Sequence, residues 1–181
     1  YKRISVVLNV PLRIALIGAG VMGRQHYQHL KTLDNAVLCA VVDPAEQAAD
    51  FAAECGVEWF AQPAQMLEQA RPDGVIVANP NTLHVSTALM CLAAGVPVVL
   101  EKPIGVDLDE VRELVAASKA CGVPVLVGHH RRHNPLIVQA HQLIHSGELG
   151  RLTTVTALWQ LQKPEHYFDI PWRREAGAGM L

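Results

Sequence analysis

The sequence has few charged residues, no long apolar run and no closely spaced cysteines. Only 18% of its 181 residues are charged and 50% are hydrophobic, which excludes a disordered chain. Lys plus Arg is 15 and Asp plus Glu is 17, so a net charge of −2 argues against a general nucleic-acid binder. The longest apolar run, Ala88 to Leu100, contains Gly95 and Pro97 and is shorter than the roughly 18 residues that a membrane span needs. We therefore expect a globular protein that binds neither nucleic acid nor a membrane.

The four cysteines lie far apart in the sequence. Cys39, Cys55, Cys91 and Cys121 form no CxxC motif, and each lies in a largely apolar stretch. This distribution predicts reduced, buried thiols and a cytoplasmic location.

The two ends of the sequence resemble internal segments of a protein. Tyr1-Lys2-Arg3 is basic, but Asn9, Pro11 and Arg13 interrupt the apolar core that a signal peptide requires. Because the first residue is not Met and the last residues, 179–181, are apolar, we expect the chain to be part of a longer protein.

Short apolar runs alternate with helical patterns up to residue 127. Such runs indicate buried parallel strands, and the glycines at 56, 95 and 122 are typical of helix ends. Repeated βαβ units predict a doubly wound α/β fold with a parallel sheet. We predict strands at 12–17, 37–42, 74–78, 97–100 and 124–127, and helices at 21–33, 45–54, 83–93 and 108–120.

The predicted helix at 108–120 has the clearest start. Asp107 can cap it while Glu110 reaches back, as in a capping box. Its apolar residues share one face, which we expect to pack on the sheet. The residues of that face are Leu108, Val111, Leu114 and Val115.

The pattern changes after residue 127, where we place a domain boundary between 1–127 and 128–181. A helix is predicted at 135–145, and the β-branched residues of 151–162 predict a strand. The second segment is too short to bury a core of its own, and a single strand cannot form a stable sheet. We therefore expect an exposed strand that associates through its edge.

A glycine motif follows the first predicted strand and opens the first predicted helix. Gly18-Ala19-Gly20-Val21-Met22-Gly23 has the GxGxxG spacing in the context that a dinucleotide site requires. Gly18 permits the tight turn, Gly20 lets the backbone approach a pyrophosphate, and Gly23 lets the helix pack on the strand. The helix N-terminus offers free N–H groups to the phosphates.

Asp43 ends the second predicted strand, about 20 residues after Gly23, where a carboxylate can bind ribose hydroxyls. The carboxylate would repel a 2′-phosphate, and Pro44-Ala45-Glu46 has no arginine to receive one. We therefore predict NAD rather than NADP, with Asp43 and Pro44 at the adenosine. The alternative is a tight glycine turn and a surface aspartate that caps the next helix.

Two downstream motifs follow later strands, namely Asn79-Pro80-Asn81 with His84, and Glu101-Lys102-Pro103. Together with the glycine motif they resemble the glucose–fructose oxidoreductase, inositol dehydrogenase and MocA family, over residues 12 to 181. The resemblance implies a Rossmann-type NAD-binding domain and the beginning of an α+β substrate domain. It also implies a dehydrogenase that acts on CH–OH groups of a sugar, cyclitol or cyclic diol, as a homodimer or homotetramer when full length.

The resemblance implies roles for individual residues. Lys102 is the catalytic residue, whose ammonium binds the substrate hydroxyl and stabilises charge during hydride transfer, and the Lys102–Pro103 peptide is expected to be cis. The alternative is a solvated lysine paired with Glu101. Residues expected to line the nicotinamide and its ribose are Asn79, Pro80, Asn81, His84, Glu101 and Lys102. The alternatives there are a helix cap at Asn81 or Thr82 and a partly buried His84 in the first helical turn.

Four residues beyond the boundary match family positions near the substrate. His130 and Arg131 lie in the basic segment 128–135, and Trp172-Arg173 resembles a WR element near the active site. A metal site is not predicted at the histidines, because no cysteine or carboxylate follows at ligand spacing. The family's general-base histidine follows a small-residue stretch seen here at 176–179. It would lie beyond Leu181, so we expect this chain alone to have little dehydrogenase activity.

Three alternative functions remain open from the sequence. A glycoside hydrolase that oxidises its substrate transiently would release a free sugar without net NADH. A non-catalytic NAD(H)-binding protein would bind NADH without turnover. An unrelated doubly wound domain would bind no dinucleotide.

Overall fold

The computed structural model describes residues 10–169. The chain divides into two compact units, the first ending at Val127 and the second beginning at Gly128. The first unit contains a six-stranded parallel sheet with the strand order β3-β2-β1-β4-β5-β6. Its elements are β1 (Leu12–Ile17), α1 (Val21–Leu30), β2 (Ala36–Val42), α2 (Gln47–Glu54), β3 (Glu58–Phe60), α3 (Pro63–Gln69), β4 (Gly74–Val77), α4 (His84–Ala93), β5 (Val98–Leu100), α5 (Leu108–Cys121) and β6 (Val125–Val127).

The sheet reverses its winding direction beside β1. The chain proceeds from β1 outward to β2 and β3, and then crosses back to place β4 on the other side of β1. The point between β1 and β4 is the topological switch point, where open α/β sheets bind ligands at the carboxyl ends of their strands. The doubly wound parallel sheet predicted from the sequence is confirmed.

The central strands are buried on both faces of the sheet. Along β1, Ala15 and Ile17 belong to one apolar cluster and Leu16 to another, as the two-residue period of a strand requires. Along β2, Val41 and Val42 divide in the same way. Burial on both faces explains why these strands read as continuous apolar runs.

Strand β3 and helix α3 were not predicted from the sequence. A strand of three residues at the sheet edge is too short to show a period. The start of α3 had a signal, because Pro63 occupies the first turn, where proline is favoured.

Helix α5 begins as predicted, since Asp107 Oδ1 accepts hydrogen bonds from the amides of Asp109 (2.8 Å) and Glu110 (3.1 Å). The prediction for its apolar face is wrong for two of the four residues. Leu114 is buried and Val111 packs against the core, but Leu108 and Val115 are 70% and 45% exposed. The reason is that α5 packs mainly on α4, so only a narrow stripe is covered.

The second unit contains helix α6 (Pro135–Ser146), where a helix was predicted. Asn134 Oδ1 accepts a hydrogen bond from the Leu136 amide, and Gly147 ends the helix with φ +82°. The strand predicted at 151–162 is wrong, because these residues have no regular secondary structure. Within the described part of this unit they have no neighbouring strand, and β-propensity alone does not form a ladder.

The four cysteines are free thiols, but they are not all buried. Cys91 is buried, Cys39 and Cys55 are half-buried, and Cys121 is exposed because it is the last residue of α5. The prediction of buried thiols therefore holds fully only for Cys91, where burial raises the pKa to about 12. No helix within residues 10–169 has the length and apolarity needed to cross a bilayer.

Candidate active site

Four strands end side by side at one edge of the sheet. Ile17 of β1 pairs in register with Val42 of β2 and Val77 of β4, and Val77 pairs with Leu100 of β5. The residues that follow these strand ends are the sequence-predicted ones. The structure therefore brings together the glycine motif after β1, Asp43 after β2, the Asn79 loop after β4 and the Glu101–Lys102 loop after β5.

Two glycines of the motif are required by close contacts. A Cβ at Gly18, whose φ is +98°, would lie 2.5 Å from the carbonyl carbon of Ala78. A Cβ at Gly23 would lie 1.9 Å from the carbonyl oxygen of Gly18. The glycine loop thus packs directly on the loop after β4, and α1 packs directly on the glycine loop.

Gly20 differs, because a Cβ there would meet no atom of the described residues within 4 Å. It lies at the N-terminus of α1, whose first intrahelical bond joins the Arg24 amide to the Gly20 carbonyl. The exposed residues Val21 and Met22 begin the helix, and their amides precede that first bond. Open space beside free amides fits the pyrophosphate of a dinucleotide.

Asp43 connects the glycine loop to the turn that precedes α2. Its Oδ2 accepts a hydrogen bond from the Ala19 amide (2.9 Å), and its Oδ1 accepts one from the Ala45 amide (3.0 Å). The indole of Trp59 donates to the Asp43 carbonyl (3.0 Å). The carboxylate thus resembles the helix-capping alternative, but two oxygens with about four acceptor positions can also bind ribose hydroxyls. Pro44 follows it and is exposed.

Arg24 of α1 contacts the glycine loop and was not identified from the sequence. Its Nε donates to the Ala19 carbonyl (3.0 Å), and its guanidinium lies 4.2 Å from the ring centroid of Phe51 on α2. No local pattern indicates this contact, because it joins two helices separated by a strand.

Asn79 follows β4 and offers a buried acceptor. Its Nδ2 donates to Thr87 Oγ1 (2.9 Å), while its Oδ1 is buried without a hydrogen-bond partner among the described residues. A buried amide oxygen of this kind is satisfied when a ligand donor reaches it. Together with the open space at Gly20, this acceptor fits a bound dinucleotide. Pro80 and Asn81 come next, and Asn81 opens a short 3₁₀ helix before α4.

His84 begins α4 and is only 2% exposed. Its Nδ1 lies 2.7 Å from the Pro103 carbonyl oxygen, and its Nε2 lies 3.0 Å from the Asn79 carbonyl oxygen. The ring therefore contacts two loops of the site and has almost no exposed surface. The two ring nitrogens of His84 thus lie at hydrogen-bond distance from backbone carbonyl oxygens of the two loops.

Glu101 follows β5 and is buried beside His26 of α1. His26 Nε2 lies 2.8 Å from Glu101 Oε1, and the Lys102 amide donates to Glu101 Oε2 (3.1 Å). Burial by itself raises the pKa of Glu101. The hydrogen bonds from His26 and the Lys102 amide, with the positive charges of both residues, hold that pKa below its ordinary value. His26 was missed, because it is 75 positions from its partner.

Lys102 is exposed at this edge, and its peptide bond to Pro103 is cis, as expected. The alternative pairing of its ammonium with Glu101 does not form, since that carboxylate binds His26 and the Lys102 amide. Among residues 10–169 the Lys102 ammonium takes part in no ion pair, so it is available to a ligand.

The residues predicted near the substrate lie in the second unit or outside the described range. His130 opens a 3₁₀ helix, and the Arg131 guanidinium lies 4.3 Å from the ring centroid of Trp159. Trp172 and Arg173 lie outside the described residues.

Comparisons with known proteins identify the family to which this chain is similar. Residues 12–129 match the family model described as an oxidoreductase family with an NAD-binding Rossmann fold. The rhizopine catabolism protein MocA of Rhizobium meliloti is 31% identical over 92% of this chain and 51% of its own. Inositol 2-dehydrogenase 4 of Saccharopolyspora erythraea is 35% identical over 79% of this chain and 44% of its own. The chain thus spans about half the length of the curated relatives it matches.

Solved structures of dehydrogenases also match this chain. The WlbA dehydrogenase of Bordetella pertussis, in complex with NADH and UDP-GlcNAcA, matches with a TM-score of 0.88 and 27% identity, over 96% of this chain and 51% of its own. The scyllo-inositol dehydrogenase of Lactobacillus casei, with bound NAD(H) and scyllo-inositol, matches with a TM-score of 0.74 and 27% identity, over 77% and 42%. These proteins give no support to glycoside hydrolysis or to a non-catalytic role. The chain belongs to the glucose–fructose oxidoreductase, inositol dehydrogenase and MocA family, and residues 12–129 form its NAD-binding Rossmann fold.

Proposed function

We propose that this chain provides the NAD site and the hydroxyl-binding lysine of a dehydrogenase. The reaction transfers a hydride between nicotinamide and a secondary alcohol of a sugar, cyclitol or cyclic diol. The observation that supports this most directly is the alignment of four strand ends. It sets the exposed Lys102 at the same sheet edge as the glycine motif and Asp43.

Each part of this edge has a binding task. The amides of Val21 and Met22 hold the pyrophosphate, with Gly20 leaving room for it. Asp43 and Pro44 lie at the adenosine ribose, and the carboxylate disfavours a 2′-phosphate, so NAD is preferred over NADP. The nicotinamide side is lined by Asn79, Pro80, Asn81, Glu101 and Lys102.

Lys102 acts on the substrate hydroxyl. When bound, NAD supplies the acceptor or donor of the hydride. The Lys102 ammonium orients the hydroxyl and stabilises the negative charge that develops on its oxygen as the proton passes to the general-base histidine that the family resemblance implies. Because the described residues leave this ammonium unpaired, it can bind the hydroxyl without first breaking an ion pair.

The substrate class is supported by the names of the relatives. Several are inositol dehydrogenases, and one solved relative holds scyllo-inositol. We assign substrate contacts to His130, Arg131, Trp172 and Arg173, and we expect the active form to be a cytoplasmic homodimer or homotetramer.

The first experiment is a fluorescence titration of the chain with NADH and, in parallel, with NADPH. We expect saturable binding that prefers NADH. Absence of binding to either nucleotide, in a sample whose circular dichroism shows a folded α/β protein, would refute the proposal. Incubation of the full-length protein with NAD and a panel of polyols then tests the reaction. Release of a free sugar without net NADH would favour the hydrolase, and NADH binding by the full-length protein without turnover of any polyol would favour the non-catalytic alternative.

A further inference from the structure

The imidazole of His84 faces a backbone carbonyl on each side. The two contacts are 2.7 Å from Nδ1 to the Pro103 oxygen and 3.0 Å from Nε2 to the Asn79 oxygen. Both are hydrogen-bond distances, and the residue is 2% exposed. One ring therefore joins the loop after β4 to the loop after β5.

Carbonyl oxygens only accept hydrogen bonds, so a bond to each of them would take a proton on each ring nitrogen. A neutral imidazole has one N–H, so two such bonds would correspond to the imidazolium. With a single proton, the ring would direct a lone pair at one carbonyl oxygen and lose that bond. A buried charge needs hydrogen-bond partners, and the carbonyl oxygens of Pro103 and Asn79 lie at hydrogen-bond distance from the ring.

The bridge fixes the backbone on both sides of Lys102. On its N-terminal side, the Lys102 amide donates to Glu101 Oε2 (3.1 Å). On its C-terminal side, the carbonyl of Pro103 is held by His84. The ammonium of Lys102 is thus presented from a backbone that is attached at two points.

We propose that His84 is a positioning residue for Lys102, which it holds by donating from both ring nitrogens to the two loops. The role of Lys102 rests on the proposed function, whereas the contacts of His84 with the two loops do not. If the proposed function were wrong, the bridge could still exist, and the experiments below test the two separately.

Two conservative variants divide the bridge into its halves. In His84→Asn the side-chain amide can replace Nδ1 and keep the bond to Pro103. In His84→Gln the amide can replace Nε2 and keep the bond to Asn79. The readout is hydrogen exchange of the Lys102 amide, and the Glu101 amide, which donates to the Val77 carbonyl inside the sheet, is the internal control.

We expect Lys102 exchange to be roughly tenfold faster in His84→Gln, the change that loss of one ordinary hydrogen bond implies. His84→Asn should exchange at nearly the wild-type rate, and the Glu101 amide should not respond to either variant. A general loss of stability would affect both amides in both variants. Equal Lys102 exchange rates in the two variants would overturn the proposal.

A spectroscopic measurement tests the two donors in the unaltered chain. Long-range ¹⁵N–¹H correlation of ¹⁵N-histidine-labelled protein should show a proton on each ring nitrogen of His84, and an unprotonated nitrogen would overturn the proposal. An NADH titration of the same sample tests the function separately. Two protonated nitrogens without NADH binding would support the bridge and remove the function, while NADH binding with an unprotonated nitrogen would do the reverse.

Discussion

His26 Nε2 and Glu101 Oε1 lie 2.8 Å apart, and this contact joins the helix of the glycine motif to the loop of Lys102. The Glu101 side chain is only 7% exposed and the His26 side chain 23%. The same carboxylate accepts the Lys102 amide. The pair therefore connects the loop proposed to bind phosphate with the loop proposed to bind the hydroxyl.

Glu101→Gln should lower the free energy of unfolding at neutral pH by about 1 to 3 kcal/mol, because it removes charge-assisted hydrogen bonds from a buried position. The pKa of Glu101 is lowered in the folded state, so its contribution is present above the ordinary glutamate pKa of about 4.3. That contribution disappears as the pH falls through the lowered pKa. The difference between wild type and variant should therefore shrink towards acid in urea unfolding measured from pH 7 to pH 3.

The matched control is Asp109→Asn. Asp109 pairs with Arg112 at 2.6 Å, but both side chains are largely exposed. Exposed pairs contribute little, so this variant should change stability much less than Glu101→Gln. An equal effect of the two variants, or a difference that grows towards acid, would contradict the assignment of a buried stabilising pair.

Gly20→Ala should separate binding from folding. A Cβ there meets open space, so the free energy of unfolding should change by less than about 0.5 kcal/mol. The methyl group would occupy the space proposed for the pyrophosphate, so NADH affinity should fall at least about tenfold. Chemical denaturation and NADH fluorescence titration of the same samples measure the two effects.

Gly23→Ala is the paired variant, and there the added methyl group would clash with the protein itself. Its Cβ would lie 1.9 Å from the Gly18 oxygen, so the backbone has to move. We expect a loss of about 1 to 3 kcal/mol or more, with weaker NADH binding as a consequence of the disturbed loop. If Gly20→Ala bound NADH normally, the pyrophosphate would not lie beside Gly20.

Asp43 sets the expected preference between the two nicotinamide cofactors. Asp43→Asn removes the negative charge and keeps one side-chain oxygen, which can accept from one of the amides of Ala19 and Ala45 but not from both, because they bond to separate oxygens of Asp43. The ratio of NADPH to NADH dissociation constants should therefore fall by about tenfold or more. Asp43→Ala should lower the same ratio and also destabilise the start of α2, since it loses both amide bonds. An unchanged ratio in Asp43→Ala would show that the carboxylate does not select NAD.

The parts of the site that depend on local sequence patterns could be predicted. The glycine motif, Asp43 and Lys102 each follow an apolar strand, and strand ends of a parallel sheet meet at one edge. The pairing of His26 with Glu101 could not be predicted, because a contact across 75 positions has no local signal. The strand predicted at 151–162 failed for the converse reason, since its β-branched residues show a propensity that a partner strand has to complete.

Lys102→Met should remove turnover and leave the fold intact. Lys102 is exposed and makes no ion pair within the described residues, so the free energy of unfolding should stay close to that of wild type. In the full-length protein, with a polyol that it oxidises, the rate should fall by about 10² to 10⁴, the range for losing a group that assists proton transfer. Lys119→Met, an exposed lysine in the last turn of α5, is the control and should keep the full rate. If Lys102→Met oxidised the polyol as fast as Lys119→Met, Lys102 would be excluded from the chemistry. The reason is that a neutral thioether cannot stabilise the negative charge that develops on the hydroxyl oxygen.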